Sequence, residues 1–311
     1  MFELAADGCP KILPAYEDGI FKSVFTRKGC VRPLADIISS YIGISLTGVM
    51  IQSNELPIWH KYAKRGVFDI NCTASDGKSQ FAVEMQADPM KYDSVANEHA
   101  NIRHRSIYCL ANLHASQTGR GLDYIDFVRS YQITLCNYSP FTEDHSLIEE
   151  FMLRNNRGTV LANAIRAVFV DLSFAGKIAK KNIRDMTAAE KWSVFIAKAD
   201  NPRYHDIIRD ITKSKEEIEM AYDALTSIST DADERARFLS RRMLEQDIEH
   251  ERVYWRRISR EEGLAEGRAE GSKEKSIEIA LAMLGDGVPV STISRYVELS
   301  EEEIVKIAAG P

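Results

Sequence analysis

Residues 66–86 read GVFDINCTASDGKSQFAVEMQ, two β-rich runs around an Asp-Gly pair. Asp76-Gly77 is the favoured two-residue type I′ turn, so the segment is expected to fold as a β-hairpin. With that turn Ser75 pairs with Lys78, and the numbers of paired residues sum to 153. Asp69 then lies directly opposite Glu84. Side chains alternate faces along a strand. Phe68, Ile70 and Cys72 therefore share an apolar face with Phe81, Val83 and Met85, while Asp69, Glu84 and Gln86 share the polar one.

Like charges opposite each other destabilise a sheet. At about 5 Å and an effective dielectric near 20 the repulsion is roughly 3 kcal/mol. Lys78 sits at the turn, too far along the hairpin to offset it. A divalent cation would turn the repulsion into attraction, and an all-oxygen donor set suits Mg²⁺ or Mn²⁺. The other reading is a solvated face on which the two side chains splay apart.

Outward from the hairpin, residues 16–28 place Phe21, Val24 and Phe25 at helical spacing, and a second apolar helix crosses 33–42. Residues 48–58 look extended, 91–118 helical, and 127–136 and 165–174 extended. Beyond residue 185 the pattern is helical, beginning with a Thr187-x-x-Glu190 capping box. The expected fold class is α/β, a mixed central sheet flanked by helices, with an all-helical C-terminal extension. The expected division is residues 1–175 for the sheet domain, 176–260 helical, 261–272 a Glu-Gly connector and 273–311 a small helical tail.

Composition excludes several classes. Apolar residues make up 44% and charged residues 28% of 311, which is ordinary for a globular chain. The five cysteines (Cys9, Cys30, Cys72, Cys109, Cys136) contain no C-x-x-C pair, which argues against a disulfide framework or a zinc finger and for free buried thiols in a reducing cytoplasm. The N-terminal MFELAADGCPK lacks a basic stretch followed by an apolar run, and the best apolar stretch, 158–175, is broken by Arg166 and Asp171. Neither a secretory leader nor a membrane span is expected. The net charge of −6 gives no basic footprint, but residues 1–140 carry 14 basic and 14 acidic residues, so the whole deficit lies in the remainder.

Several motifs occur in order: Asp18-x-x-Phe21-Lys22, then Glu55-Leu56-Pro57 and Lys64, then Asp69, Glu84-x-Gln86 and Arg105-x-x-Tyr108. Later come ARFLSRRMLEQD at 236–247 and the closing LAMLGDGVPVSTISRYVELSEEEI. Together they resemble the Rpn family of recombination-promoting nucleases, also described as transposases, within the PD-(D/E)XK superfamily. The resemblance covers nearly the whole chain. It implies a PD-(D/E)XK nuclease-like sheet and a Mg²⁺-dependent DNA endonuclease (Mn²⁺ being the other candidate ion) associated with recombination or mobile elements. By that resemblance Asp69, Glu84 and Gln86 are catalytic, and Asp69, Glu84 and Asp18 (with Glu17 as its rival) hold the metal. Lys22, Lys64 and Arg105 would contact DNA, although an ion pair between Arg105 and a carboxylate is an equal reading. Gln86 departs from the superfamily's lysine while agreeing with the Rpn E-x-Q. An amide can orient water but supplies no positive charge. Either Lys22 or Lys64 makes good that charge, or the fold is catalytically degenerate and serves as a DNA-binding or protein-interaction module.

The tail carries Glu262-Gly263, Glu266-Gly267 and Glu270-Gly271. Three helix-interior glycines cost about 1 kcal/mol each relative to alanine, so the repeat reads as a flexible connector or as a helix steadied by a partner. Glycine faces permit close helix approach, which makes a homo-oligomer through the tail an expectation. The ending is laid out like a helix-turn-helix, but EEEIVKIA would repel phosphates, so it reads as a packing or assembly element.

Overall fold

A computed structural model describes residues 12–55, 68–87, 95–117 and 123–309. Lys64, the Leu56-Pro57 pair and Cys9 lie outside them. The first elements are helix α1 (Asp18–Phe25), helix α2 (Val31–Ile42), strand β1 (Val49–Ile51), strand β2 (Ile70–Ala74) and strand β3 (Ser79–Gln86). Helix α3 (Val95–Ala115) then leads to strands β4 (Arg129–Cys136), β5 (Ile148–Phe151) and β6 (Ile165–Asp171). The six strands form one mixed sheet in the order β1-β2-β3-β4-β6-β5. β3, β4 and β6 run parallel, and β1, β2 and β5 pair antiparallel with their neighbours. The short edge strand β5 has no counterpart in the sequence reading.

The β2–β3 ladder pairs Ile70 with Val83, Asn71 with Ala82, Cys72 with Phe81 and Thr73 with Gln80, so paired numbers do sum to 153. The turn differs from the expected one. A type I′ turn needs positive φ at both central residues, yet Gly77 (φ 69°) is the one residue of the loop with positive φ. Residues 75–78 instead form a four-residue loop. Within it Gly77 N–H donates to the Ala74 carbonyl at 2.9 Å, and Lys78 N–H donates to Asp76 Oδ1 at 3.0 Å. Two-residue and four-residue loops have the same parity, so the register survives the change of turn.

One face of the sheet carries Ile70, Cys72, Phe81, Val83, Met85, Tyr131 and Ile133 into the main core. The elements packed there come from both ends of the chain: α1, α2 and the later helices α4 (Ala175–Ile178), α5 (Ala188–Lys198), α6 (His205–Ser214) and α7 (Glu216–Thr230). Helix α5 starts at the expected Thr187/Glu190 capping box. Its Trp192 is fully buried and donates from Nε1 to Asp36 Oδ2 at 2.7 Å, and Lys215 pairs with the same carboxylate at 3.0 Å. Leu13 N–H donates to Ser229 Oγ at 2.9 Å. The helical residues after 185 thus build the cover of the sheet itself.

The opposite face is covered by α3, which packs Cys109 and Leu113 on Ala82 and Phe68, and Ile102 and Leu110 near Ala167 and Phe169. Phe68, expected beside Ile70 and Cys72, belongs to this second face. It precedes the first ladder pair, where the chain bends at Asp69 and alternation does not hold.

By packing, the chain divides into residues 1–238 and 239–311. Helix α8 (Ala232–Gly285) includes the Glu-Gly repeat, so the expected connector is itself helical. In the second unit, helix α9 (Val290–Ile293) and helix α10 (Glu301–Ala309) close a small core of Ala280, Ile293, Val297, Leu299 and Ile304. Ser300 and Glu303 cap α10 reciprocally.

Candidate metal centre

The site is built where β2 begins and β3 ends. Asp69 stands one residue before the β2 ladder, and its Oδ2 accepts the Met85 backbone N–H at 2.7 Å. Glu84 answers in kind: its Oε1 accepts the Asp69 N–H at 3.3 Å. The two residues therefore hold each other's strand as well as facing each other. Asn54, just past β1, donates from Nδ2 to the Asp69 carbonyl at 3.2 Å, and Phe68 N–H donates to the Asn54 carbonyl at 3.0 Å. Nothing in the sequence marked Asn54, which acts only through backbone groups that fold close to it.

Glu84 is 2% exposed, which removes the reading of a solvated face. Alternation put it on a polar face, and α3 then buried that face. Its Oε2 accepts from Arg105 Nη2 at 2.7 Å, so of the two readings of Arg105 the ion pair is the one observed. Cys109, four residues further along α3, hydrogen-bonds the same guanidinium, and burial lifts its thiol to about 11. Its role was not legible beforehand, although its i+4 spacing from Arg105 is a usable signal.

Helix α1 supplies Asp18 and Lys22, four residues apart and so on one helix face. The Asp18 carboxyl acts on Asp69, and the Lys22 charge acts on Glu84. Asp18, Lys22, Asp69, Glu84 and Arg105 thus come together. Gln86 ends β3 two residues beyond Glu84, half-buried, its carbonyl accepting from Asn137 N–H at 2.9 Å.

Burial raises the Asp69 carboxyl far above its ordinary range, and the Glu84 and Asp18 charges raise it further. Glu84 is also raised by burial, with Arg105 opposing the shift. A pair of carboxyls that resist ionisation in place is what a cation would reverse. Among the described residues no group of three or more His, Cys, Asp or Glu side chains stands close enough to hold a metal ion by itself. The donors present still fit Mg²⁺, which keeps several waters and is held by one or two carboxylates plus substrate phosphate.

A separate cavity of about 420 Å³ is lined by Arg103, Ser106, Phe141, His145 and Phe169, and does not include Asp69 or Glu84. Glu143, Asp144 and Glu149 stand around it, a poor setting for phosphate.

The family model for PD-(D/E)XK nuclease family transposases matches residues 15–252. The chain belongs to that family. The match runs from α1, through both carboxylates and the whole sheet, into α8. Among curated proteins and among solved structures, none matches the chain. Membership supports a nuclease role tied to mobile elements. Among the described residues no helix is long and apolar enough to cross a membrane.

Proposed function

We propose that this transposase-family chain is a Mg²⁺-dependent endonuclease that hydrolyses phosphodiester bonds in DNA, in recombination or in the movement of mobile DNA. The observation that carries the reading is the opposition of half-buried Asp69 and buried Glu84, with the Asp18 charge acting on Asp69. A scaffold gains nothing from forcing carboxyls together out of water.

Asp69, Glu84 and Asp18 would hold the ion. When bound, Mg²⁺ (or Mn²⁺) supplies Lewis acidity toward a phosphate oxygen and lowers the pKa of a coordinated water. The chain's own residues do the rest. The Met85 and Asp69 N–H groups fix the carboxylate orientations. Gln86, on the strand face of Glu84, orients the attacking water through its amide. Lys22 provides the positive charge that the superfamily's lysine would have given, and steadies the scissile phosphate. Arg105 neutralises Glu84 and is half-exposed, so its remaining donors can meet the DNA backbone. Lys64 remains a DNA contact by its place in the motif order. The buried thiols of Cys30, Cys72 and Cys109 suit a reducing compartment such as the cytoplasm.

One observation favours a second reading, that of a non-cutting DNA-binding or protein-interaction module. Arg105 already occupies a Glu84 oxygen, and no lysine follows Glu84 on β3. Plasmid cleavage with Mg²⁺ or Mn²⁺, with and without EDTA, separates the two. The nuclease reading expects metal-dependent nicking that Asp69→Ala and Glu84→Ala abolish. A wild type inactive with either ion, or folded variants that cut as well as it does, overturns that reading.

A further inference from the structure

Within residues 239–285, helix α8 carries apolar side chains that are exposed along one face. Arg241, Leu244, Ile248, Glu251, Trp255, Ile258 and Glu262 recur at alternating steps of three and four. At 3.6 residues per turn they fall within an arc of about 100°. Leu244 is 58% exposed, Ile248 50% and Trp255 61%, so the apolar centre of this face lies in water. A helix of this length with an uncovered apolar stripe and three interior glycines gains little stability by itself.

The charges on α8 say what would cover it. Arg241 and Arg242 form a basic end, followed by acidic Asp247, Glu249 and Glu251. Basic Arg252, Arg256, Arg257 and Arg260 come next, and then Glu261, Glu262, Glu266 and Glu270, a mainly acidic stretch that also holds Arg268. Reflection about the point between residues 251 and 252 places Arg241 on Glu262, Arg242 on Glu261, Asp247 on Arg256, Glu251 on Arg252 and Ile248 on Trp255. A second copy laid antiparallel therefore sets these opposite charges against each other and Ile248 against Trp255, with Leu244 one residue off Ile258. A parallel copy in register stacks like on like. A Cβ added at Gly263, Gly267 or Gly271 meets nothing within 4 Å, so the backbone there is open to a close neighbour.

We infer that α8 is the self-association surface of this protein, pairing two copies antiparallel about a two-fold axis near residues 251–252. Sedimentation equilibrium of the full-length chain tests it, with helicity checked by circular dichroism. The wild type is expected to be dimeric. Arg241→Glu with Arg242→Glu, and separately Glu261→Arg with Glu262→Arg, should each raise the dimer dissociation constant at least about tenfold. Mixing these two variants should restore a dimer, and so should combining all four changes in one chain. A wild type that stays monomeric overturns the proposal. So do variants that dimerise unchanged, or a charge reversal that lowers DNA retention while leaving the oligomeric state untouched.

Discussion

Arg105 Nη2 lies 2.7 Å from Glu84 Oε2, joining a half-exposed guanidinium on α3 to a carboxylate that is 2% exposed on β3. Arg105 is the cation that opposes the effect of burial on Glu84. Arg105→Met should cost about 1–3 kcal/mol of stability, the upper limit being lowered by the solvent around the guanidinium. Urea denaturation with and without Mg²⁺ checks it. The loss should shrink when the ion is present, because the ion supplies the missing charge.

The two carboxyls make a pH prediction. Asp69 is pushed up to about 8 from 3.8, first by burial, then by Glu84 and Asp18. Glu84 is pushed up to about 7 from 4.5, burial outweighing Arg105. A raised carboxyl pKa means the folded state holds protons that the unfolded chain releases. Their stabilising share is complete below about pH 4 and is lost as pH rises through about 8. Metal-free melting temperature should therefore fall over that window, after allowance for other groups. Asp69→Asn should flatten the slope and melt higher at pH 8. A slope unchanged by Asp69→Asn contradicts the assignment.

Gln86→Ala should lower cleavage by about tenfold to a hundredfold, the range of a lost water-positioning group. Mg²⁺ affinity, read by isothermal calorimetry, should change little. A matched loss of affinity would make Gln86 a ligand instead.

Gly77 holds the hairpin loop at φ 69° with open space where a Cβ would stand. Gly77→Ala should cost about 1–2 kcal/mol through backbone strain alone. Gly77→Asn should cost less, because Asn tolerates the left-handed region. Chemical denaturation of both variants ranks them.

The approach of Asp69 to Glu84 was legible because the loop preserved the parity of the register, although Asp69 itself stands just outside the ladder. The type of turn was not, since Asp-Gly serves a four-residue loop as readily as the tighter one. Burial of Glu84 was hidden for a related reason. Alternation marks the face of Glu84 as polar but not what covers it, and only the return of α3, held by Gln80 Nε2 donating to the Leu113 carbonyl at 2.8 Å, closes over it. The edge strand Ile148–Phe151 is short and carries Glu149 and Glu150, too little pattern to see. Trp192 and Ile218 mark helices in sequence, but whether those helices cover the sheet is decided by contacts with α1 and α2 at the far end of the chain.

That last arrangement places the Leu13–Ser229 hydrogen bond at the meeting of early and late chain. A ribosome delivers Asp18, Asp69 and Glu84 well before α7 exists, and α1 has no complete surface to lean on until residue 229 has emerged. The wall carrying Asp18 and Lys22 is therefore among the last parts of the site to settle. A nascent chain displays its acidic residues without the geometry that brings them together until translation has passed the sheet and its helical cover.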